Sequence, residues 1–381
     1  MKRPLPVLPP SPLPPLYAAW VEQFLAGPLP HERDATCDDC AMCAAEGQTV
    51  PAGEVRFNPQ TKCCAYIPQL PNFLVGRVLT DDDPAAAAGR ATVEARLRAG
   101  INATPLGLGQ PPDFALLYEQ SATTLFGQSR ALRCPHYLAE AGGRCGVWAH
   151  RAAVCATWFC KYERGATGQS FWQALHRLLA AAEQSLARWC VLELDPGGAA
   201  FEQLFAPAGA ARGGIDPRAL DGTPDPAARR ALWGAWAGRE ADYYRACARL
   251  VGALKWADVL AIGGTELRLQ ARLTGAAYRR LTAAGMPAAL KVGAFSVIRL
   301  SADAGVVCSY SGFDPVELPR PLLDVLHYFD GRPAKLVLAA IAAEQGVTIS
   351  RGLLRKLIDF QILLPCEPPA RRERTRPTSL L

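Results

Sequence analysis

Cysteine dominates the chemistry that this sequence offers between residues 37 and 160. Nine of the 13 cysteines fall in this stretch, and they come in close groups. They are Cys37, Cys40, Cys43, Cys63, Cys64, Cys134, Cys145, Cys155 and Cys160. Thiolate is the softest ligand that a side chain provides, and a C-x-x-C spacing lets two sulfurs from one turn reach the same ion. The pattern therefore predicts a metal-binding domain with zinc or iron-sulfur chemistry.

The length of the chain and the absence of an export signal favour metal binding over a disulfide framework. The chain has 381 residues, half of them apolar, which is enough for two or three domains with cores of their own. Disulfide-rich secreted proteins are normally short, whereas these cysteines cluster within a long chain. The proline-dense run from Pro4 to Pro15 does not fit a signal peptide, and no stretch is apolar for the roughly 18 to 20 residues of a membrane span. We expect a soluble, cytoplasmic protein with no membrane contact.

Changes in composition along the chain predict a mainly α protein. It should have a loop-rich cysteine domain that binds metal and a small C-terminal α+β module resembling a winged helix. Leu16, Tyr17, Trp20 and Phe24 are expected to pack an extended N-terminal arm onto the body. The predicted segments are a Pro-rich arm (1–30), a cysteine-cluster metal-binding domain (31–165), a helical region (166–290) with an irregular Gly/Pro/Ala-rich insertion (195–225), a winged-helix-like module (291–366) and a basic disordered tail (367–381).

Apolar periodicity predicts the elements of these segments. Before residue 290 the predicted helices are Ala85–Ala99, Phe171–Cys190, Ala227–Leu254 and Glu266–Ala284. Beyond it, Phe295–Leu300 and Val306–Tyr310 are β-prone runs separated by Ser-Ala-Asp-Ala-Gly, which predicts a hairpin. Three short helices and a closing strand should follow at Leu322–Phe329, Ala334–Gln345, Ser350–Phe360 and Ile362–Leu364.

The order of the cysteine motifs resembles the YkgJ-type cysteine-cluster family, which is described as a zinc- or iron-chelating domain. The motifs are Cys37-Asp-Asp-Cys40, Lys62-Cys63-Cys64, Arg133-Cys134-Pro135, Cys145-Gly-Val-Trp-Ala-His-Arg151 and Cys155-Ala-Thr-Trp-Phe159-Cys160. The family keeps its first four cysteines close together, whereas here a long gap precedes Cys63 and Cys43 is additional. The resemblance covers residues 37–160. It implies eight metal ligands: Cys37, Cys40, Cys63, Cys64, Cys134, Cys145, Cys155 and Cys160.

Ligand counting leaves the metal open. Eight thiolates suit two four-coordinate sites, or one cubane cluster with the remaining thiolates supporting it or serving redox chemistry. The Cys37, Cys40, Cys43 spacing matches the start of bacterial ferredoxin ligation, and Cys134-Pro135 resembles its Cys-Pro end, which favours an iron-sulfur cluster over zinc.

For several side chains near these motifs, the sequence does not decide whether they bind the metal. Whether Cys43, His136 or His150 ligates is undecided; for the histidines we expect a surface position or a hydrogen bond to a ligand rather than direct binding. Cys190, Cys247, Cys308 and Cys366 are isolated and are expected to be buried apolar residues. Six basic side chains should lower thiolate pKa values, with an anion site as the alternative. They are Lys62, Arg133, Arg144, Arg151, Lys161 and Arg164.

The remaining motifs exclude several function classes. No P-loop, G-x-G-x-x-G, G-x-S-x-G or H-E-x-x-H pattern occurs, so hydrolase and dehydrogenase hypotheses have no support. The net charge is +6, but four arginines against Glu373 place +3 of it in the last eleven residues, and Ser350–Phe360 lacks a dense basic stripe. We do not expect nucleic-acid binding.

The C-terminal segment carries a weaker resemblance, to the PqqD-like winged-helix domains that recognise peptides. The shared features are the hairpin, the Phe329-Asp-Gly331-Arg turn, two helices and Ile362-Leu-Leu364. The resemblance implies a peptide or protein partner that adds to a sheet edge. Two hypotheses follow: redox or modifying chemistry on a peptide or protein, or a non-enzymatic structural zinc protein that acts as a protein- or peptide-interaction module. The sequence does not decide between them, so whether the protein is an enzyme stays open.

If the ligand prediction is right, Cys63→Ala and Cys155→Ala will each lose bound metal and lower the free energy of unfolding, because a metal site links binding to folding. Metal analysis of the purified variants measures this directly. Cys308→Ala, which changes an isolated cysteine, should keep the wild-type metal content. Equal metal content in all three variants would contradict the ligand assignment.

Overall fold

Helices predominate in the computed structural model, and its strands form small antiparallel sheets, as expected for a mainly α protein. The chain separates into two compact units. One contains Arg56–Cys160 and Ser170–Arg279 with the described residues before Val50, and the other contains Glu54, Val55, Lys161–Gln169 and the described residues from Arg280 onward. The structure describes residues 12–32, 37, 40–43, 54–205, 222 and 225–367. The predicted basic tail, apart from Glu367, lies outside them.

The first unit consists of helices joined by loops and two small sheets. In chain order the helices that lie wholly or mainly in it are α1 (Pro15–Val21), α2 (Asn72–Leu79), α3 (Ala87–Ala99), α4 (Pro112–Leu125), α5 (Ala153–Thr157), α6 (Gly165–Leu194), α7 (Gly198–Phe205), α8 (Pro226–Trp233), α9 (Glu240–Gly252) and α10 (Trp256–Thr282). Its strands are β1 (Leu70–Pro71), β2 (Ala103–Thr104), β3 (Gly107–Leu108), β4 (Tyr137–Leu138) and β5 (Arg144–Cys145). The order β1-β3-β2 forms one sheet, and β4 pairs with β5.

Helix α6 confirms the amphipathic pattern predicted for Phe171–Cys190, although it extends further at both ends. Phe171, Leu175, Leu178 and Leu186 have no exposed surface, as expected for one face of a helix set into a core. Neither α6 nor any other described helix is both long and apolar enough to cross a membrane.

The N-terminal arm is not wholly extended, so this prediction was wrong for Pro15–Val21. Pro15 takes the first helical position, where its fixed φ and missing N–H cost nothing. The resulting α1 buries Tyr17 and Trp20 almost completely, with 0% and 1% of their surface exposed. Their predicted packing contact is present, but it is made from a helix.

Two further predictions in the helical region need correction. The insertion expected to be irregular contains α7, in which Phe201 and Phe205 stack at i, i+4 with ring centroids 6.0 Å apart. The single helix predicted over Ala227–Leu254 is broken between α8 and α9. Gly234 there adopts φ +47° and ψ −121°, and a Cβ would lie 1.8 Å from the Pro196 carbonyl oxygen, so only glycine fits.

The second unit places the predicted hairpin and three helices close to their expected positions. Its strands are β6 (Ala289–Val292), β7 (Ser296–Leu300), β8 (Ala304–Cys308), β9 (Val316–Pro319), β10 (Asp330–Pro333) and β11 (Leu363–Cys366), and its helices are α11 (Arg320–Val325), α12 (Ala334–Gln345) and α13 (Arg351–Asp359). The sheet orders are β10-β6-β11 and β7-β8-β9, all antiparallel. One core, including Leu290, Phe329, Val337 and Leu357, lies among these elements.

Helix α3 meets the residue that follows β5, Gly146, backbone to backbone. A Cβ built on Gly89 would lie 1.7 Å from the Gly146 carbonyl oxygen, and one built on Gly146 would lie 2.9 Å from the Gly89 Cα. Both positions therefore need glycine, and the pair sets how closely α3 approaches the end of the β4-β5 hairpin.

Gly89→Ala should lower the free energy of unfolding by about 1–3 kcal/mol, because the added methyl group forces these backbones apart. Urea denaturation measures the change. The control is Gly275→Ala inside α10, where the new Cβ would meet only the Arg279 Nη1 atom at 3.6 Å, and where alanine should raise helix stability by about 0.5–1 kcal/mol. Wild-type stability in Gly89→Ala would contradict the close contact.

Candidate metal centre

A cavity of about 210 Å³ in the first unit collects most of the predicted ligands. Six of the eight predicted cysteines line it: Cys37, Cys63, Cys64, Cys134, Cys145 and Cys155. Cys40 and Cys160 are not among the lining residues. All 13 cysteines of the chain are free thiols. We call this space the thiol cavity.

Backbone hydrogen bonds tie together the segments that carry these thiols. The Cys134 amide donates to the Cys64 carbonyl at 2.7 Å, which joins the double cysteine to the next motif. The Gly146 amide donates to the His136 carbonyl at 2.8 Å, and Tyr137 pairs with Cys145 across β4 and β5. Segments far apart in sequence are thus held together by bonds that do not depend on a metal.

Lys62 fixes the loop that carries Cys37. Its side chain is buried, and Nζ donates to the carbonyl of Cys37, to that of Gly143 at 2.8 Å and to that of Gly142 at 3.3 Å. The Lys62 backbone is left-handed, with φ +52°, a conformation that a non-glycine residue adopts only when its surroundings impose it. The lysine next to the double cysteine therefore supplies positioning as well as the positive charge that the sequence predicted.

Cys40 and Cys43 form a pair beside the thiol cavity. The Cys43 amide donates to the Cys40 carbonyl at 3.0 Å, and the two side chains are hydrogen-bonded. Burial and the neighbouring Cys40 raise the pKa of Cys43 to about 12. Phe57 anchors this turn, because its amide donates to the Met42 carbonyl at 2.7 Å. The extra cysteine of the first motif thus accompanies Cys40 and does not line the cavity.

The thiols affect one another's ionisation. Burial raises the pKa of Cys134 to about 11 and that of Cys145 to about 12, and neighbouring cysteines add to both increases. Cys63 is the exception, because a hydrogen bond from the Cys64 thiol lowers its pKa. Several thiolates can coexist in such a space only if positive charge is bound among them.

Arg151 places a fixed positive charge at the wall of the thiol cavity. It is 4% exposed, and its guanidinium donates to the carbonyls of Trp148 at 2.8 Å, Cys155 at 3.2 Å and Pro12. The same group stacks on the Trp148 ring, 3.7 Å from its centroid. Backbone carbonyls from three segments therefore hold the arginine in place, in agreement with an electrostatic role.

His136 is the one imidazole that lines the thiol cavity. Its Nδ1 lies 2.7 Å from the Thr92 hydroxyl oxygen, and its buried Nε2 has no hydrogen-bond partner in the part of the chain that the structure describes. Burial, with a further effect from Arg96, lowers the pKa of His136 to about 3. The ring is therefore neutral at physiological pH, and it is not at the surface.

His150 lies in a neighbouring cavity of about 340 Å³ that Cys37 and Cys145 also border. Its Nε2 is 2.8 Å from a carboxylate oxygen of Asp81, so this nitrogen already has a hydrogen-bond partner. Burial lowers the pKa of His150, and the hydrogen bond to Asp81 opposes that effect. The structure thus separates two histidines that the sequence could not distinguish.

Aromatic rings form a further part of the thiol cavity wall. Tyr66 and Tyr118 meet edge to face at 5.2 Å, and Phe126 and Trp158 do so at 5.5 Å. Trp148 and Trp158 remain 41% and 37% exposed, so the aromatic side reaches solvent. Tyr118 comes from α4, which was not predicted, although the sequence Pro-Pro-Asp at its start and the i, i+4 spacing of Phe114 and Tyr118 could have indicated it.

The lining side chains surround a space and do not converge on a point. Within the described ranges, no group of three or more His, Cys, Asp or Glu side chains is arranged so that it could hold a metal ion. The donor chemistry, six thiols with an imidazole nitrogen, nevertheless suits a thiolate-bound metal group.

No protein-family model, curated protein or solved structure matches this chain. The resemblance of the cysteine motifs to the YkgJ-type family, and of the C-terminal segment to PqqD-like domains, therefore stays a prediction from motifs. What the protein does has to be inferred from the thiol cavity itself.

A buried carboxyl group supports the helix that carries Cys155. Glu183 accepts hydrogen bonds from the Tyr17 hydroxyl and, at 2.7 Å, from the Ala153 amide at the start of α5. Burial raises the pKa of Glu183 from 4.5 to about 7, and the two hydrogen bonds oppose this increase. The folded state therefore binds the Glu183 proton more tightly than the unfolded chain does.

The free energy of unfolding should therefore fall as the pH rises from about 4.5 to about 7, because the folded state then loses its advantage in binding the Glu183 proton. For one proton the slope is at most about 1.4 kcal/mol per pH unit. Glu183→Gln should remove this slope, because the amide oxygen can still accept both hydrogen bonds without ionising. Urea denaturation at several pH values measures it. Glu193→Gln, an exposed position on the same helix, should keep the slope. Identical pH profiles for Glu183→Gln and wild type would contradict the assignment.

Proposed function

We propose that this protein binds an iron-sulfur cluster in the thiol cavity. The observation that carries the proposal is the meeting of six free thiols in one space of about 210 Å³. Cys37, Cys63, Cys64, Cys134, Cys145 and Cys155 would provide the ligands, with Cys40 close by on the same loop as Cys43. Arg151 would offset part of the negative charge of a sulfur-rich group.

The size of the thiol cavity favours a cluster over a single zinc ion. About 210 Å³ is many times the roughly 10–15 Å³ that a cavity needs to hold one water. A structural zinc ion draws four ligands to about 2.3 Å and leaves no such space. In a cubane cluster each cysteine binds a different iron, so thiols distributed around a cavity suit a cluster better than thiols gathered at a point.

The aromatic side of the thiol cavity supports a chemical role. Structural zinc sites are closed, whereas Trp148 and Trp158 lie on this wall with 41% and 37% of their residue surface exposed. When bound, a cluster would supply electron transfer, or Lewis-acid binding of a substrate if one iron keeps an open position. The protein's own residues would line the space with aromatic rings and hold the charge of Arg151 near the thiols.

The second unit would serve as a winged-helix-like module that binds a peptide or protein. Among the described strands, β7 lies at the edge of its sheet, and Val297 and Leu300 on it are 50% and 55% exposed. An exposed edge with apolar side chains is a template for an added strand. A protein that binds both a cluster and a peptide or protein could carry out redox or modifying chemistry on that partner.

Anaerobic purification followed by a visible absorption spectrum and analysis for iron, zinc and acid-labile sulfide tests the proposal. We expect a brown protein with iron and sulfide in comparable amounts and absorption that bleaches with dithionite. Zinc without sulfide would overturn the cluster and favour the alternative, a structural zinc protein that acts as an interaction module.

A matched pair of variants connects the result to the thiol cavity. Cys145→Ala should lose most of the iron and sulfide, since this half-buried thiol lines the cavity. Cys247→Ala changes a thiol buried in α9, away from the cavity, and should keep the wild-type content. If both variants kept the cluster, its location would be wrong.

A further inference from the structure

His136 combines complete burial with an unused nitrogen. The residue is 2% exposed, and Nε2 has no hydrogen-bond partner among the described residues. A buried polar atom without a partner costs about 1–3 kcal/mol, so such an atom needs an explanation. An unused nitrogen is not sufficient by itself, because the buried Nδ1 of His176 also lacks one in the described part of the chain. The groove beside His176 contains no thiol, whereas the cavity beside His136 is lined by six.

The hydrogen bonds of Thr92 determine where the His136 ring carries its proton. The Thr92 hydroxyl oxygen lies 2.6 Å from the Gly89 carbonyl, which can only accept, so the single hydroxyl proton is used there. At the 2.7 Å contact with His136, Thr92 must then accept, and Nδ1 must carry the hydrogen. In a neutral imidazole this leaves a lone pair on Nε2. A metal-binding histidine typically has this arrangement, in which the second ring nitrogen donates to a fixed acceptor.

The backbone holds His136 at the thiol cavity independently of the ring. Its carbonyl accepts from the Gly146 amide at 2.8 Å, and it follows Cys134 by two residues. Gly89, whose carbonyl orients Thr92, is also the residue at which α3 packs closely against Gly146. The other histidine near the cysteine motifs, His150, has its Nε2 committed to Asp81.

We propose that His136 binds the metal group of the thiol cavity through Nε2, as a nitrogen ligand among thiolates, with Thr92 as its positioning residue. The inference rests on the proposed function. A neutral imidazole in place of a thiolate makes the site less negative, and histidine ligation raises the reduction potential of an iron-sulfur centre. The site would then accept electrons at a higher potential than an all-cysteine site.

X-ray absorption fine structure at the K-edge of the metal in the purified wild-type protein tests this without any variant. Full-length protein expressed with iron and zinc supplied is expected to show the outer-shell scattering of an imidazole together with metal–sulfur bonds. A sulfur-only spectrum from a metal-loaded sample would overturn the role of His136 and leave the proposed function standing. Absence of metal and sulfide from the wild type would overturn both proposals.

Variants provide a second measurement. His136→Ala should lose the imidazole scattering and at least half of the bound metal. Thr92→Val keeps the side-chain shape but removes the acceptor, and it should weaken metal binding by about 10- to 100-fold. His136→Cys should keep the metal and lower the reduction potential, a change that a merely structural histidine would not produce. His176→Ala is the matched control and should behave as wild type. Wild-type spectra and potential in all His136 variants would overturn the proposal.

Discussion

Repulsion between thiolates is the constraint on which this arrangement depends. Six thiols share one cavity, where burial raises the pKa values of Cys134 and Cys145 and the neighbouring cysteines raise them further, so that each thiol that ionises makes the next ionisation harder. Positive charge has to lie close to them. The protein supplies part of it through the buried side chains of Lys62 and Arg151, and a bound metal group would supply the rest.

The same two cations also determine the shape of the site. Both donate to backbone carbonyls, so the charges that compensate the thiols hold the loops of Cys37 and Cys155 in place. Hydrogen bonds between amides and carbonyls join the other segments, such as that from Cys134 to Cys64. The thiols are therefore brought together by hydrogen bonds of the protein itself, and the proposed metal group would complete the site and not create it.

Helices distant in sequence each supply one part of this framework. Helix α3 contributes Thr92, which orients His136, and its approach depends on glycine at residue 89. Helix α4 provides Tyr118 for the aromatic wall, and Glu183 of α6 holds the start of α5. The thiol cavity is thus lined both by donor atoms and by aromatic rings, which come from segments distant in sequence.

The amino-acid sequence by itself determined the inventory of donors and the elements with strong local patterns. Helix α6 and the hairpin of β7 and β8 were predictable because apolar periodicity depends only on neighbours in the chain. The break at Gly234 was not, since its cause is a contact with Pro196, which is remote in sequence.

Tertiary structure likewise decided which residues line the thiol cavity. Spacing alone could not show that Cys160 falls outside the thiol cavity lining or that the His136 Nε2 is unused, because side-chain direction and burial are fixed only when separate segments pack together.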